Sequence, residues 1–218
     1  MRKVRVEEYA QRLTRPFLVM GLAMVDNYLV SVYSCHGAMS WHRHLDEDEL
    51  FMGYGGTGTV ETGWGSVSLG FGEILTVPKG LPHRCLSMMP AHLLLVQTRG
   101  LPERRNGHQR VYRGGGGRLE KSSVAQEAAR LNDVYLPRRV AMSDTLGVSV
   151  QICLGAQQWH RHHGDQLVFC QYGQLSVEGD EAVESVSRGE FAVVSAGERH
   201  RVSAVEPATA VVMARVEQ

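Results

Sequence analysis

The chain has 218 residues, 43% of them hydrophobic, and its 23 basic side chains balance 23 acidic ones. That is apolar material for one large or two small cores, and a net charge of zero supplies no global field for nucleic acid. No apolar run approaches the ~20 residues that span a bilayer, so the expected partner is a small-molecule ligand or substrate, with no nucleic acid and no membrane.

From the N-terminus, residues 1–16 read as an arm in which 6–13 can form a short helix before Pro16. The apolar stretch 17–25 follows Glu7 and Glu8 and lacks a convincing cleavage site, so it reads as an early strand and not a signal peptide. Short segments rich in β-branched residues or alternating in polarity then recur at 30–35, 73–77, 92–98, 148–154, 166–172 and 190–195. Glycine clusters at 53–58 and 63–65 supply turns between them. Many short strands with few helical patterns predict an all-β sandwich or barrel. Two regions depart from this. Residues 99–118 carry six arginines and a glycine run, which reads as a solvated connection or as an arginine rim for an anionic ligand. Residues 122–132 have a Ser cap followed by Ala, Glu and Leu, and predict a short linker helix. The cysteines Cys35, Cys85, Cys153 and Cys170 lie far apart, with no Cys-x-x-Cys, and read as buried structural thiols in a cytoplasmic protein.

The chain also repeats itself. Residues 30–44 and 148–162 share Val30/Val148, Cys35/Cys153, Gly37/Gly155 and the run Trp-His-Arg-His, at an offset of 118. One residue is lost just after the histidines, and the repeat continues at an offset of 117 through Gly56/Gly173, Gly72/Gly189, Gly80/Gly197 and His83/His200. A repeat of this period means two copies of one domain. The boundaries follow as an arm at 1–16, a first barrel at 17–100, a linker with a short helix at 101–132 and a second barrel at 133–218.

The shared element has chemical content. Residues i and i+2 of a strand point to one face, so His42 and His44 present two imidazoles side by side, and Glu49 and His83 complete a three-His, one-carboxylate set. Such a set suits a divalent transition metal, Fe, Mn, Ni or Zn. Strand parity and the distance to Gly56 favour Glu49 over Asp48 as ligand, and Asp46, Glu47, Asp48 and Asp165 read as loop charges. In the second copy the set is His160, His162, Gln166 and His200. Gln166 admits two readings, a neutral amide ligand or the remnant of a lost site. Trp41 and Trp159 face the other side of the strand as packing anchors, and Phe51, Cys85, Val168 and Cys170 have the parity to line the cavities. His163 should face away if its strand persists, and His36, His92 and His108 have no repeat partners.

These residues resemble the cupin superfamily. Gly37, His42, His44, Glu49 and Gly56 resemble its first motif, one residue short between Gly37 and His42; Gly72, Pro78, Gly80 and His83 resemble its second. The second copy resembles the same pattern, with Gln166 in place of the acidic ligand and Ser195 in place of the proline. The resemblance implies two tandem double-stranded β-helix (jelly-roll) barrels, a bicupin, with one metal possible per barrel. It also implies a range of activities in which a dioxygenase acting on a small oxygenated metabolite leads, ahead of an isomerase or lyase and of a non-catalytic binding or sensing protein. Homodimers are common in the family, so a homodimer is expected. No residue is singled out as catalytic.

Overall fold

The computed structural model describes residues 1–98 and 116–216; most of the arginine-rich segment, and His108 within it, lies outside the described residues. The N-terminal half contains β1 (Arg2–Arg5), α1 (Val6–Ala10), β2 (Val19–Val25), β3 (Tyr28–Ala38), β4 (Glu49–Gly55), β5 (Gly58–Thr62), β6 (Gly65–Leu69), β7 (Glu73–Val77) and β8 (His83–Thr98). The remainder contains β9 (Lys121–Ser123), α2 (Val124–Ala128), β10 (Arg138–Ser143), β11 (Leu146–Ala156), β12 (Gln166–Tyr172), β13 (Gln174–Gly179), β14 (Val183–Ser187), β15 (Glu190–Val194) and β16 (His200–Arg215). No helix among the described residues is long and apolar enough to cross a membrane.

Two compact units emerge. The N-terminal unit comprises Tyr9–Leu22 and Asn27–Ser123; the C-terminal unit comprises Met1–Glu8, Ala23–Asp26 and the chain from Val124. The eight-stranded sheets run in the order β2-β3-β8-β4-β7-β9 and β10-β11-β16-β12-β15-β1, the same path traced twice. In each, a hairpin (β5–β6, β13–β14) joins through its first strand to the long strand. The repeat seen in the sequence is therefore a repeat of topology.

The sheet edges use segments that sequence reasoning assigned elsewhere. Arg2–Arg5, read as an arm, pairs antiparallel with β15 through Val4↔Phe191. Lys121–Ser123, read as linker, does the same for β7 through Ile74↔Ser122. Each covers an edge whose unpaired backbone groups would otherwise be open to other chains. Because Ser122 and Ser123 are engaged in β9, α2 starts only at Val124 and its last turns close through Ala129 N–H to Ala125 O and Leu131 N–H to Ala128 O. The helix is thus shorter than the 122–132 segment that predicted it.

Backbone geometry obeys the same repeat. Positive φ recurs at Phe17 and Tyr135, Asp26 and Asp144, and Gly56 and Gly173. At Gly56 (φ 66) an added Cβ would lie 2.8 Å from Pro90 O, so both dihedral and space demand glycine there. Each unit has its own apolar core, one including Leu69, Leu75, Val77 and Leu93, the other Leu175, Val177, Val186 and Ala210. The long strands bend and serve both sides of their unit: β8 pairs with β5 through Val60↔Cys85 and, past exposed Met88 and Met89, with β4 through Met52↔Leu94. The bend delivers His83 to the place where β4 begins with Glu49.

Candidate metal centre

In the N-terminal unit His42, His44, Glu49 and His83 converge, all buried, with one ligand atom from each lying within 4.8 Å of the others. Bonds of about 2.1 Å to a central ion allow donors up to ~4.2 Å apart, so only small side-chain shifts separate this arrangement from coordination. His42 and His83 face each other in an isolated β-bridge, closed by His42 N–H to His83 O at 3.0 Å and His83 N–H to His42 O at 2.8 Å. Gly80 N–H donates to His44 O at 2.6 Å and pins the loop before His83.

The orientation of each ring is set by its far nitrogen. His42 Nδ1 donates to Ser40 O at 3.1 Å and His83 Nδ1 to Leu81 O at 3.0 Å, which leaves both Nε2 atoms facing inward. Glu49 bridges His83 Nε2 (2.7 Å) and His44 Nε2 (3.4 Å). Yet both nitrogens of His44 are buried without a hydrogen bond, an expensive state for a polar group unless another ligand fills it. That orphaned nitrogen, aimed into a cluster of imidazoles and a carboxylate, is the observation that fits this site to a metal ion.

Charge supports the same reading. Burial alone would raise the Glu49 carboxyl, but the adjacent imidazoles of His44 and His83, the latter hydrogen-bonded to it, outweigh burial and hold the group well below the usual range. Burial lowers His42 to about 4, helped by neighbouring His83. His44 goes the other way: burial lowers it, but Glu47 and Glu49 together push it up to about 9. Burial raises the Cys35 and Cys170 thiols to about 11 and Cys153 to about 12, so these three play no part as thiolates.

Sequence reasoning missed Glu47. Read as a loop charge, it is 2% exposed, takes the backbone N–H of Thr98 on Oε2 at 2.7 Å and accepts the Thr98 hydroxyl on the same atom. Its other oxygen lies 3.4 Å from His44 Nδ1. Asp48 and Asp165 are also more than solvated charges. Asp48 accepts Lys79 N–H and Asp165 accepts Ala196 N–H, both at 2.9 Å, so each clamps the loop that brings the third histidine.

The C-terminal unit builds its counterpart from His160, His162 and His200, with His160 bridged to His200 as His42 is to His83. His160 Nδ1 contacts Gln158 O at 2.9 Å and His200 Nδ1 contacts Glu198 O at 3.0 Å. Gln166 lies between the rings, its amide atoms 3.0 Å from His162 Nε2 and 3.0 Å from His200 Nε2. The amide oxygen faces His200 and the NH2 faces His162. Because His200 Nδ1 donates to Glu198 O and burial lowers the His200 pKa, its Nε2 carries a lone pair. The reversed amide, NH2 towards His200 and oxygen towards His162, satisfies the hydrogen bonds better. All eight residues expected at the two sites are thus gathered, four in each unit.

The sites differ in room. In the N-terminal unit the cavity beside His42 and Glu49 is ≈ 10 Å³, about one water, and is filled by Tyr33, Met39, Phe51, Cys85 and Leu95. The repeat puts Gln151, Gln157, Val168, Val202 and Val212 at these positions in the C-terminal unit. There the cavity is ≈ 420 Å³ and reaches His160, His162 and Gln166. Of the residues given cavity parity by sequence, Phe51 and Cys85 line the N-terminal cavity, while Val168 and Cys170 belong to the C-terminal core. The tryptophans lie under guanidinium groups, Arg84 at 5.0 Å from Trp41 and Arg199 at 4.5 Å from Trp159, as packing anchors should. His163 lines a second cavity of ≈ 680 Å³ with His162, Asp26 and Asp165.

Comparison with known proteins agrees with this architecture. Residues 154–214 match the Cupin_2 family, described as a cupin domain. Residues 154–214 thus form a cupin domain, and the chain as a whole has the cupin fold. Among solved structures, a cupin 2 conserved barrel domain protein from Leptotrichia buccalis superposes with a TM-score of 0.76 at 13% identity, covering 99% of this chain and 96% of that one. Salicylate 1,2-dioxygenase from Pseudoaminobacter salicylatoxidans, in its adduct with gentisate, gives a TM-score of 0.78 at 11% identity, covering 96% of this chain and 78% of that one. At such identities the likeness is one of fold. No curated protein matches the chain in sequence.

Proposed function

We propose that this cupin is a metal-dependent enzyme of the dioxygenase class acting on a small oxygenated organic metabolite, with the chemistry in the C-terminal unit. One observation carries the reading: the group formed by His160, His162, Gln166 and His200 opens onto a cavity of substrate size, whereas the N-terminal group is sealed. The fold likeness to a salicylate dioxygenase supports the reaction class. A bound Fe, Mn, Ni or Zn ion would supply Lewis acidity, and in the case of iron a means of handling O2.

The protein's own contribution is orientation and charge. His160 and His200 present Nε2 because Nδ1 is tied to backbone carbonyls. Gln166 offers an oxygen without a charge, so a dication there keeps its full pull on a substrate oxygen. The N-terminal group, with two buried carboxylates and no room, suits a metal that stabilises its unit. Metal content of protein purified without added ions, followed by O2 uptake across small hydroxy and keto compounds, tests the proposal. Iron with substrate-dependent uptake that is lost in His200→Ala upholds it; zinc or nickel with no uptake sinks it and leaves an isomerase, a lyase or a non-catalytic binder. We also propose a homodimer, with exposed Met88, Met89 and Val205 as apolar surface available for contact; light scattering at the mass of a single chain would refute it.

A further inference from the structure

The C-terminal cavity carries two positive side chains, Arg139 and Arg215, and no Asp or Glu lines it among the described residues. Neither arginine has an ion-pair partner among the described residues. Both are departures from the other copy. Strand register equates Leu146↔Arg215 with Tyr28↔Thr98, so Arg215 stands where the N-terminal unit has Thr98, the residue that holds Glu47. Arg139 stands where the N-terminal unit has Gly21, and Gly147 where it has Leu29. The exchange is reciprocal: a Cβ at Gly21 would meet the Leu29 side chain at 3.3 Å, and one at Gly147 would meet Arg139 Nε at 3.4 Å. A guanidinium thus fills the space that a leucine fills in the sealed unit.

Among the described residues the rest of the wall carries no carboxylate and mixes polar Ser149, Gln151 and Gln157 with apolar Val202, Val212 and Val216. Gln151 and Gln157 replace Tyr33 and Met39. Two carboxylates, Asp26 and Asp165, line the adjoining cavity that shares His162 and Arg215. Both are engaged by the backbone, each accepting the other's N–H at 2.9 and 3.0 Å. The cavity therefore presents two guanidiniums, to which a dication on the three histidines would add two charges that Gln166 cannot offset.

We infer that the substrate is an organic acid: its carboxylate is held by Arg139 and Arg215, while a second oxygen, hydroxyl or keto, reaches towards His160, His162 and Gln166. Guanidinium groups bind carboxylates with charge-assisted hydrogen bonds, and a neutral analogue forfeits that gain. This inference rests on the proposed function for the role of the second oxygen; the arginine half stands without a metal.

The experiment is calorimetric titration with glycolate, malonate and salicylate, each against its own amide, on metal-loaded protein and on protein stripped by chelator. At least one acid should bind tenfold or more tighter than its amide. Arg139→Gln/Arg215→Gln together should weaken that acid at least tenfold and leave the amide unchanged, with an unaltered unfolding midpoint because both side chains are exposed. Acid and amide binding equally in every pair, no binding by any acid, or an acid affinity indifferent to the double substitution, overturns the inference. If stripped protein keeps the arginine-dependent preference but no metal can be loaded, the metal reading fails alone. If loaded protein consumes O2 only with uncharged substrates, the organic-acid inference fails alone.

Discussion

Glu47 gives the sharpest test of how the N-terminal site is held. Glu47→Gln keeps the shape and an oxygen for the Thr98 N–H, now accepted at 2.7 Å, but removes the charge facing His44 Nδ1 at 3.4 Å. Carboxylates behind metal-ligating histidines are typically worth ~10–100-fold in metal affinity, or roughly 1.4–2.7 kcal/mol. A second effect opposes this. His44 sits at about 9 without metal, and burial, the largest influence, is outweighed by Glu47 and Glu49. Near neutral pH a metal must therefore displace the His44 proton, and each unit of pKa above ambient pH costs ~1.4 kcal/mol. Losing Glu47 lowers that barrier as it weakens the ligand. The full loss of ~10–100-fold should thus appear only above the His44 pKa, near about pH 9.5, and shrink at about pH 7. Chelator competition at both pH values measures it. The C-terminal site, where the one-residue gap leaves no counterpart of Glu47, is the internal control. Unchanged affinity near pH 9.5, or equal weakening of both sites, would refute the reasoning.

Gln166→Glu restores a carboxylate to the C-terminal site, so chelator, which should empty that site first in the wild type, should then empty the two sites at closer concentrations; an unchanged gap means hydrogen bonding behind the ligands outweighs charge. Gly56→Ala forces an alanine into φ 66 with Cβ 2.8 Å from Pro90 O, and should cost about 1–3 kcal/mol in denaturant unfolding; a variant as stable as wild type would show that the bend relaxes freely. For chelated protein, the raised His44 pKa gives stability that is full below 6.5 and is lost as pH rises through about 9. The lowered His42 pKa gives stability that is full above 6.5 and fades as pH falls towards about 4. The N-terminal unit without metal should accordingly be most stable near pH 6.5, and denaturant midpoints that climb steadily from acid to alkaline pH would contradict these assignments.

Much of the site was legible because its signals are local or repeated. Their spacing pairs His42 and His44, the repeat doubles them, and parity picks Glu49 from its acidic run, although the two histidines lie between β3 and β4 and only His42 makes an isolated bridge. Nothing local distinguishes Glu47 from Asp46 or Asp48: which carboxylate turns inward depends on the Thr98 backbone, 51 residues away. The edge strands were missed for a related reason. Arg2–Arg5 and Lys121–Ser123 are too short and polar to read as strands, and they become strands only because β15 and β7 leave an edge to pair with. The arginines told a similar story. The run at 99–118 reads as a basic rim, while the two that line a cavity, Arg139 and Arg215, are far apart in the chain and come together through β11.

The two copies share topology, turn dihedrals and the histidine triad, so what differs between them must account for any difference in chemistry. The differences fall around the metal position and point one way. Glu49 becomes Gln166, and the gap after the histidines removes Glu47. Two buried carboxylates can neutralise a dication in the N-terminal unit, and their loss leaves the charge uncompensated in the other. Tyr33, Phe51 and Leu95 become Gln151, Val168 and Val212, which exchanges packed side-chain volume for space. A dication without a carboxylate binds weakly and attracts anions, and such a site makes sense only where an anion can enter; the same unit supplies the opening and lines it with arginine. Stability and reactivity place opposite demands on a metal site, one asking for full neutralisation and exclusion of solvent, the other for residual charge and access. Under the proposed function, duplication lets the chain meet both, one in each unit.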